Sequence, residues 1–182
     1  QAWVMSKMRL EIRSLPKWKD KITVKTWIKT LENSRSTRCL ELYRGEEKLA
    51  GCETFWAVIN TNARRPENLA LGHKHFEKFP AQSGTSHEVQ KININLDFDV
   101  LKNYKVQLSD IDIVNHANSV KYLEWCLNAL DSKYILRQKI KGFEMNFLRE
   151  LSLNDEVTIA QKDQSIIISK ADKVCFALEL NE

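Results

Sequence analysis

Between Ser109 and Trp125 the chain reads Ser-Asp-Ile-Asp-Ile-Val-Asn-His-Ala-Asn-Ser-Val-Lys-Tyr-Leu-Glu-Trp, setting Asp110, Asp112, Asn115, His116 and Asn118 within nine residues. The apolar run that follows predicts a helix from an Asn118 N-cap through about Ser132. It carries Tyr122, Leu123, Trp125, Cys126, Leu127, Ala129 and Leu130, and is expected to be buried nearly all round. The first-turn N–H groups of such a helix have no intrahelical acceptor and carry partial positive charge, so they can hold a developing oxyanion. A carboxylate and an imidazole beside them supply a base and an acid, which is what hydrolysis of an acyl group requires. Singly, each residue has a structural explanation: Asp110 and Asn118 as turn and cap, Asp112 as a loop acid, His116 as a packed ring. Their clustering is what points to chemistry.

The elements that must position this cluster follow from periodicity. Strands are predicted at Trp3 to Ile12, Ile22 to Ile28, Thr37 to Tyr43 and Leu49 to Asn60, the last two joined by Arg44-Gly45-Glu46-Glu47, where Gly can take positive φ. Arg65-Pro66-Glu67-Asn68 reads as the start of a short helix, Pro being favoured at the first helical position. Residues 73–90 lack periodicity, and the boundaries drawn are a first half over 1–72, a surface linker over 73–96 and a second half over 97–182. In the second half a strand at Asn103 to Leu108 precedes the helix. Strands at Phe143 to Leu151, Glu156 to Lys162, Ser165 to Lys170 and Lys173 to Leu180 follow it. One buried helix with an antiparallel meander is an α+β arrangement. The first half shows the meander alone, and since the chain opens at Gln1 it is expected to lack its natural beginning, where a matching helix would lie.

Composition narrows the partners. No run of about 18 apolar residues occurs and no secretory leader opens the chain, so no membrane span and a cytoplasmic location are expected. Cys39, Cys52, Cys126 and Cys175 lack zinc-ligand spacing and read as buried, reduced thiols. His73 and His75 have no companion ligands, so neither a metal nor a cofactor is expected. Residues 1–72 carry 14 Lys/Arg against 8 Asp/Glu, whereas 97–182 carry 11 against 14. A basic first half attracts anionic partners. Nucleic acid is disfavoured, because the basic residues alternate with apolar ones along strands and no nucleic-acid motif is present.

Asp112 to Tyr122 resembles the Asp-Met-Asn-Gln-His-Val-Asn-Asn-Val-Lys-Tyr signature of the acyl-acyl carrier protein thioesterases. Trp3 to Met8, Thr26-Trp27, Phe55 to Asn60, Ala63 to Pro66 and Phe147 to Glu150 agree with the family in order. The resemblance spans nearly the whole chain. It implies a tandem hot-dog fold whose C-terminal half carries catalysis and whose N-terminal half contributes much of the acyl pocket. Position by position, it places the catalytic Asp, His and Glu on Asp112, His116 and Glu150. The catalytic Asn falls on Val114, a departure that leaves Asn115 or Asn118 to supply an amide or the site to work without one, with Asn118 also at the oxyanion-binding helix start. A cysteine nucleophile after the Glu is disfavoured because that position is Leu151. Met8, Trp27, Phe55 and Trp56 are the acyl-pocket candidates, with core packing as the alternative. Arg64 and Arg65 are the candidates for docking an acidic acyl carrier protein. The implied reaction is hydrolysis of fatty acyl-carrier thioesters by activated water, in a monomer or homodimer. A coenzyme A thioesterase, an enoyl-thioester hydratase and a non-catalytic acyl-carrier binder stand as alternatives.

Overall fold

A computed structural model of the chain describes residues 1–133 and 140–181. It divides into two compact units, Gln1–Gln90 and Lys91–Glu182.

In the first unit, β1 (Ala2–Ile12), β2 (Ile22–Glu32), β3 (Arg35–Arg44) and β4 (Glu47–Asn60) form an antiparallel sheet in the order β2-β3-β4-β1. The tight turns use residues that tolerate positive φ, Asn33 at 48° and Gly45 at 58°. Arg65–Pro66 is not the start of a helix: it forms β5, a two-residue strand pairing Pro66 with Ile59 and Arg65 with Asn60. Proline is accommodated there because an edge position demands no ladder N–H.

One face of this sheet carries a buried polar cluster. Glu53 is 1% exposed, paired across the ladder with Arg9 and Cys39, and lies 3.3 Å from the Lys29 ammonium. A segment from the stretch read as connector covers it. The Gly84 N–H donates to Glu53 at 3.1 Å, Ser83 bonds Lys29 at 2.9 Å, and the Ser86 N–H donates to Glu11 at 2.8 Å. The approach is close enough to require glycine, since a Cβ on Gly51 would stand 1.9 Å from the Gly84 carbonyl oxygen. Cys39 lies beneath, and Cys52, the residue before Glu53, is buried on the opposite face. Burial pushes their thiols up, to about 11 for Cys39, with Glu53 adding to the shift, and to about 12 for Cys52. Neither is a nucleophile at neutral pH. All four cysteines are free and buried.

In the second unit, β6 (Asp99–Lys105), β7 (Gly142–Phe147), β8 (Glu156–Lys162), β9 (Ser165–Lys170) and β10 (Lys173–Asn181) form an antiparallel sheet ordered β7-β10-β9-β8-β6. Helix α1 (Ser119–Ala129) packs against β8, β9 and β10. Both faces of the sheet are covered. Ile159, Ile168 and Phe176, paired in register, share the face on which Tyr122 of α1 rests. Ala160, Ile167 and Ala177 lie on the other, beneath Ile92, Ile94 and Phe98. This explains the unbroken isoleucine run of β9, for a strand buried on both faces need not alternate. α1 itself is one-sided, with Tyr122, Trp125 and Cys126 buried and Val120 67% exposed, and it stops at Ala129. The expectation of a helix buried nearly all round is corrected: its apolar residues outnumber those the sheet has room to cover.

The turn before β8 supplies a pH-dependent element. Asp155 accepts from the Ser152 N–H at 2.9 Å and from the Lys170 ammonium at 2.6 Å. Partial burial raises its pKa, but these two bonds outweigh that and hold the carboxyl below its ordinary value. A lowered folded-state pKa stabilises above the unfolded value of about 4 and is lost as the pH falls through the folded value. Asp155→Asn is therefore expected to lower the urea midpoint at pH 7. Its deficit against the parent should shrink progressively below about pH 4.

Candidate active site

The loop that enters α1 is closed by its own backbone. The Asp112 N–H donates to the His116 carbonyl at 2.9 Å, and the Asp112 Oδ1 accepts from the N–H groups of Val114 at 2.9 Å and His116 at 3.2 Å. Asn115 turns the chain at φ 64°, in the left-handed region asparagine tolerates. Ile111 and Ala117 form an isolated bridge across the loop's neck. Asp112 is thus the residue that shapes the loop presenting His116. Val114, 61% exposed, gives the loop its N–H but has no side-chain donor or acceptor to offer.

Beneath the loop lies Asp110, only 3% exposed. Its carboxylate accepts from the Tyr104 hydroxyl at 2.7 Å and the Gln107 N–H at 2.8 Å, and its carbonyl accepts from the Asn118 N–H at 2.8 Å. Burial and the neighbouring Asp110 push the Tyr104 phenol up to about 12, which keeps it a donor. Asn118 caps α1, its Oδ1 accepting from the Val120 N–H at 3.0 Å and its carbonyl from the Lys121 N–H at 2.9 Å.

Glu150 comes from a different element. The strand read through Leu151 ends at Phe147. Leu148 and Arg149 then both donate to the Cys175 carbonyl, at 2.8 and 3.0 Å, where β10 bulges between Val174 and Phe176. This takes the next residues out of the ladder. Glu150 thereby reaches the loop, with its Oε2 3.5 Å from the His116 Nε2 and the two side chains 32% and 36% exposed. The family resemblance groups Asp112, His116 and Glu150; in the structure Glu150 meets the His116 ring, and Asp112 bonds the His116 backbone. What sequence reasoning missed is the role of Tyr122, whose hydroxyl accepts from the Leu151 N–H at 3.0 Å. The signal available was a tyrosine in a run of otherwise wholly apolar buried positions.

The proposed pocket and docking residues lie in the first unit and divide. Trp56 shares a face with Met8, both flanking Thr54 in the register, whereas Phe55 and Trp27 belong to the opposite face with Cys39. The four cannot line one cavity on one face of the sheet. Trp27 donates to the Gln82 carbonyl at 3.2 Å and Trp56 to the Thr54 hydroxyl at 2.8 Å. Arg64, at φ 54°, and Arg65 lie exposed at the turn into β5. Among the described residues no three His, Cys, Asp or Glu side chains converge as metal ligands would, and no helix is long and apolar enough to cross a membrane.

Comparison with known proteins accounts for both halves. Residues 1–71 match the acyl-ACP thioesterase N-terminal domain and residues 95–180 the acyl-ACP thioesterase C-terminal domain. A chloroplastic acyl-[acyl-carrier-protein] hydrolase of Cuphea viscosissima is 24% identical over 156 residues, covering 81% of this chain and 38% of the relative. The chloroplastic dodecanoyl-[acyl-carrier-protein] hydrolase of Cinnamomum camphora is 23% identical over 181 residues, covering 95% and 47%. The crystal structure of an acyl-ACP thioesterase from Bacteroides thetaiotaomicron superposes with a TM-score of 0.86 at 21% identity, over 98% of this chain and 75% of that one. The chain spans less than half the length of these curated relatives. The fold is a double hot-dog in which, among the described residues, the second half alone carries a central α-helix. The chain belongs to the acyl-ACP thioesterase family.

Proposed function

We propose that this chain hydrolyses the thioester of fatty acyl chains borne on acyl carrier protein, releasing free fatty acid. The observation that carries the reading is the half-exposed His116–Glu150 contact at the mouth of α1, in a chain of this family. Glu150 takes a proton from a water molecule, and the hydroxide so formed attacks the carbonyl carbon. The imidazole of His116 donates to the developing oxyanion, supported by the positive end of α1. Direct donation by the helix is limited, because Asn118 already holds the Val120 and Lys121 N–H groups. Collapse of the tetrahedral intermediate breaks the C–S bond, and the thiolate leaves with the proton held by Glu150. Asp112 acts through the loop, with its Oδ1 engaged by two N–H groups. The family's amide is replaced by valine at position 114, so the water is held by Glu150 and His116, with the neighbouring Asn115 as the amide candidate.

Thiol release, measured across acyl lengths on acyl carrier protein and on coenzyme A, tests the proposal. Release from the carrier-protein substrates supports it. Preference for coenzyme A, hydration of enoyl thioesters, or tight binding with no thiol released would each replace it with one of the alternatives. A cytoplasmic setting belongs to the same reading, checked by cell fractionation.

The acidic carrier is assigned to the basic first unit, at Arg64 and Arg65. Reversing both charges is expected to raise KM for the carrier-bound substrate by about tenfold at low ionic strength. That gap should close as salt screens the encounter. A KM unchanged by both charge and salt would place docking elsewhere.

A further inference from the structure

We infer that Tyr122 is a positioning residue for Glu150, fixing its carboxylate against His116 through the backbone of Leu151; the inference rests on the hydrolase reading above. Glu150 lies outside the ladder of β7, so strand pairing does not place it. What does is the next residue. Leu151 is wholly buried, its N–H donates to the Tyr122 hydroxyl at 3.0 Å, and its carbonyl accepts from the Ala117 N–H at 2.8 Å. Leu151 follows Glu150 and Ala117 follows His116. The residues succeeding the two meeting side chains are therefore tied directly, and one of them is anchored to α1 as well.

The anchor is rigid. Tyr122 is 4% exposed, and its ring packs at centroid distances of 5.3 Å from Trp125, 5.9 Å from Phe147 and 5.3 Å from Phe176. The phenol stays protonated at neutral pH, because burial pushes it up to about 12. Phenylalanine keeps the ring packing but leaves the Leu151 N–H without its partner in a site closed to water. That peptide must then shift or tilt to find another. Glu150 moves with it, and misplacement of a reacting group by a fraction of an ångström is felt in the chemical step more than in substrate binding.

Tyr122→Phe, Glu150→Gln and the double variant are compared with the parent for kcat, KM and amide exchange. Tyr122→Phe is expected to lower kcat by between about 10- and 100-fold with KM within about twofold. Exchange at the Leu151 amide should accelerate by about tenfold or more while the β9–β10 ladder amides keep their protection. In the Glu150→Gln background the tyrosine hydroxyl should no longer matter, so the double variant should match Glu150→Gln to within about twofold. A purely structural tyrosine would instead multiply the two losses. Undiminished kcat in Tyr122→Phe, fully multiplicative losses, or an unaltered Leu151 amide would each overturn the role and leave the hydrolase reading standing. A parent protein inert towards every acyl thioester would overturn both.

Discussion

Glu150→Gln is expected to lower thioester turnover by between about 100- and 10,000-fold while leaving the protein folded. The substitution keeps the shape of the side chain and removes its basicity. At 32% exposure the new amide meets water without a desolvation penalty of consequence. The backbone that carries the residue is held by Leu148, Arg149 and Leu151, none of whose bonds use the carboxylate. Asp112→Asn should fall short of this effect. Asparagine retains a carbonyl oxygen that can still accept from Val114 and His116, so the loop keeps its closure. Thiol-release assays with circular dichroism on both variants give the ordering. If Asp112→Asn were the more damaging, the base would be Asp112, and Glu150 would be its helper.

Lys29→Met should be the most destabilising conservative change in the first unit. It removes the ammonium 3.3 Å from the buried Glu53 carboxylate and leaves Arg9, its neighbour across the ladder, as the nearby cation, a loss of up to about 3–5 kcal/mol by comparison with other broken buried pairs. Glu53 would retain the Gly84 N–H and the weak contact of the Cys39 thiol. Urea unfolding reads the cost. Replacing both partners with apolar residues, Lys29→Met with Glu53→Leu, should recover most of it, since the buried carboxylate leaves with its ammonium and Arg9 keeps its ion pair with Glu11. A single variant as stable as its parent would show that solvent reaches Glu53.

The parts of this molecule legible in its sequence are those decided locally. β8 and β9 lie at Glu156–Lys162 and Ser165–Lys170, the expected bounds, because polar turns close both sides of each. Asn118 is the N-cap it was read to be, since capping needs only the residue and the helix after it. What failed depended on distant partners. Pro66 reads as a helix start until Ile59 offers it an edge. β7 reads through to Leu151 because nothing within it announces the β10 bulge at Cys175 that ends the pairing. Nothing local marks Lys29 and Glu53 as buried, because the segment that covers them bonds Glu53 from 31 residues away and Lys29 from 54. In the candidate site, Asp112 and His116 stood out as part of a cluster, whereas Glu150 was legible only through the family resemblance. That Asp112 grips the loop while Glu150 faces the imidazole is a matter of geometry, which spacing along a chain does not carry.

The close packing of Gly84 onto Gly51 bears on how the protein can be dissected. A fragment ending where the periodic strands of the first half run out, near residue 72, would leave Glu53, Lys29 and the thiol of Cys39 without their cover. It would open to solvent a charged floor that the native chain keeps dry. The first compact unit runs to Gln90 and includes this cover. Expression of the halves as separate polypeptides should succeed or fail on which side of the Ser83–Ser86 clasp the cut is made.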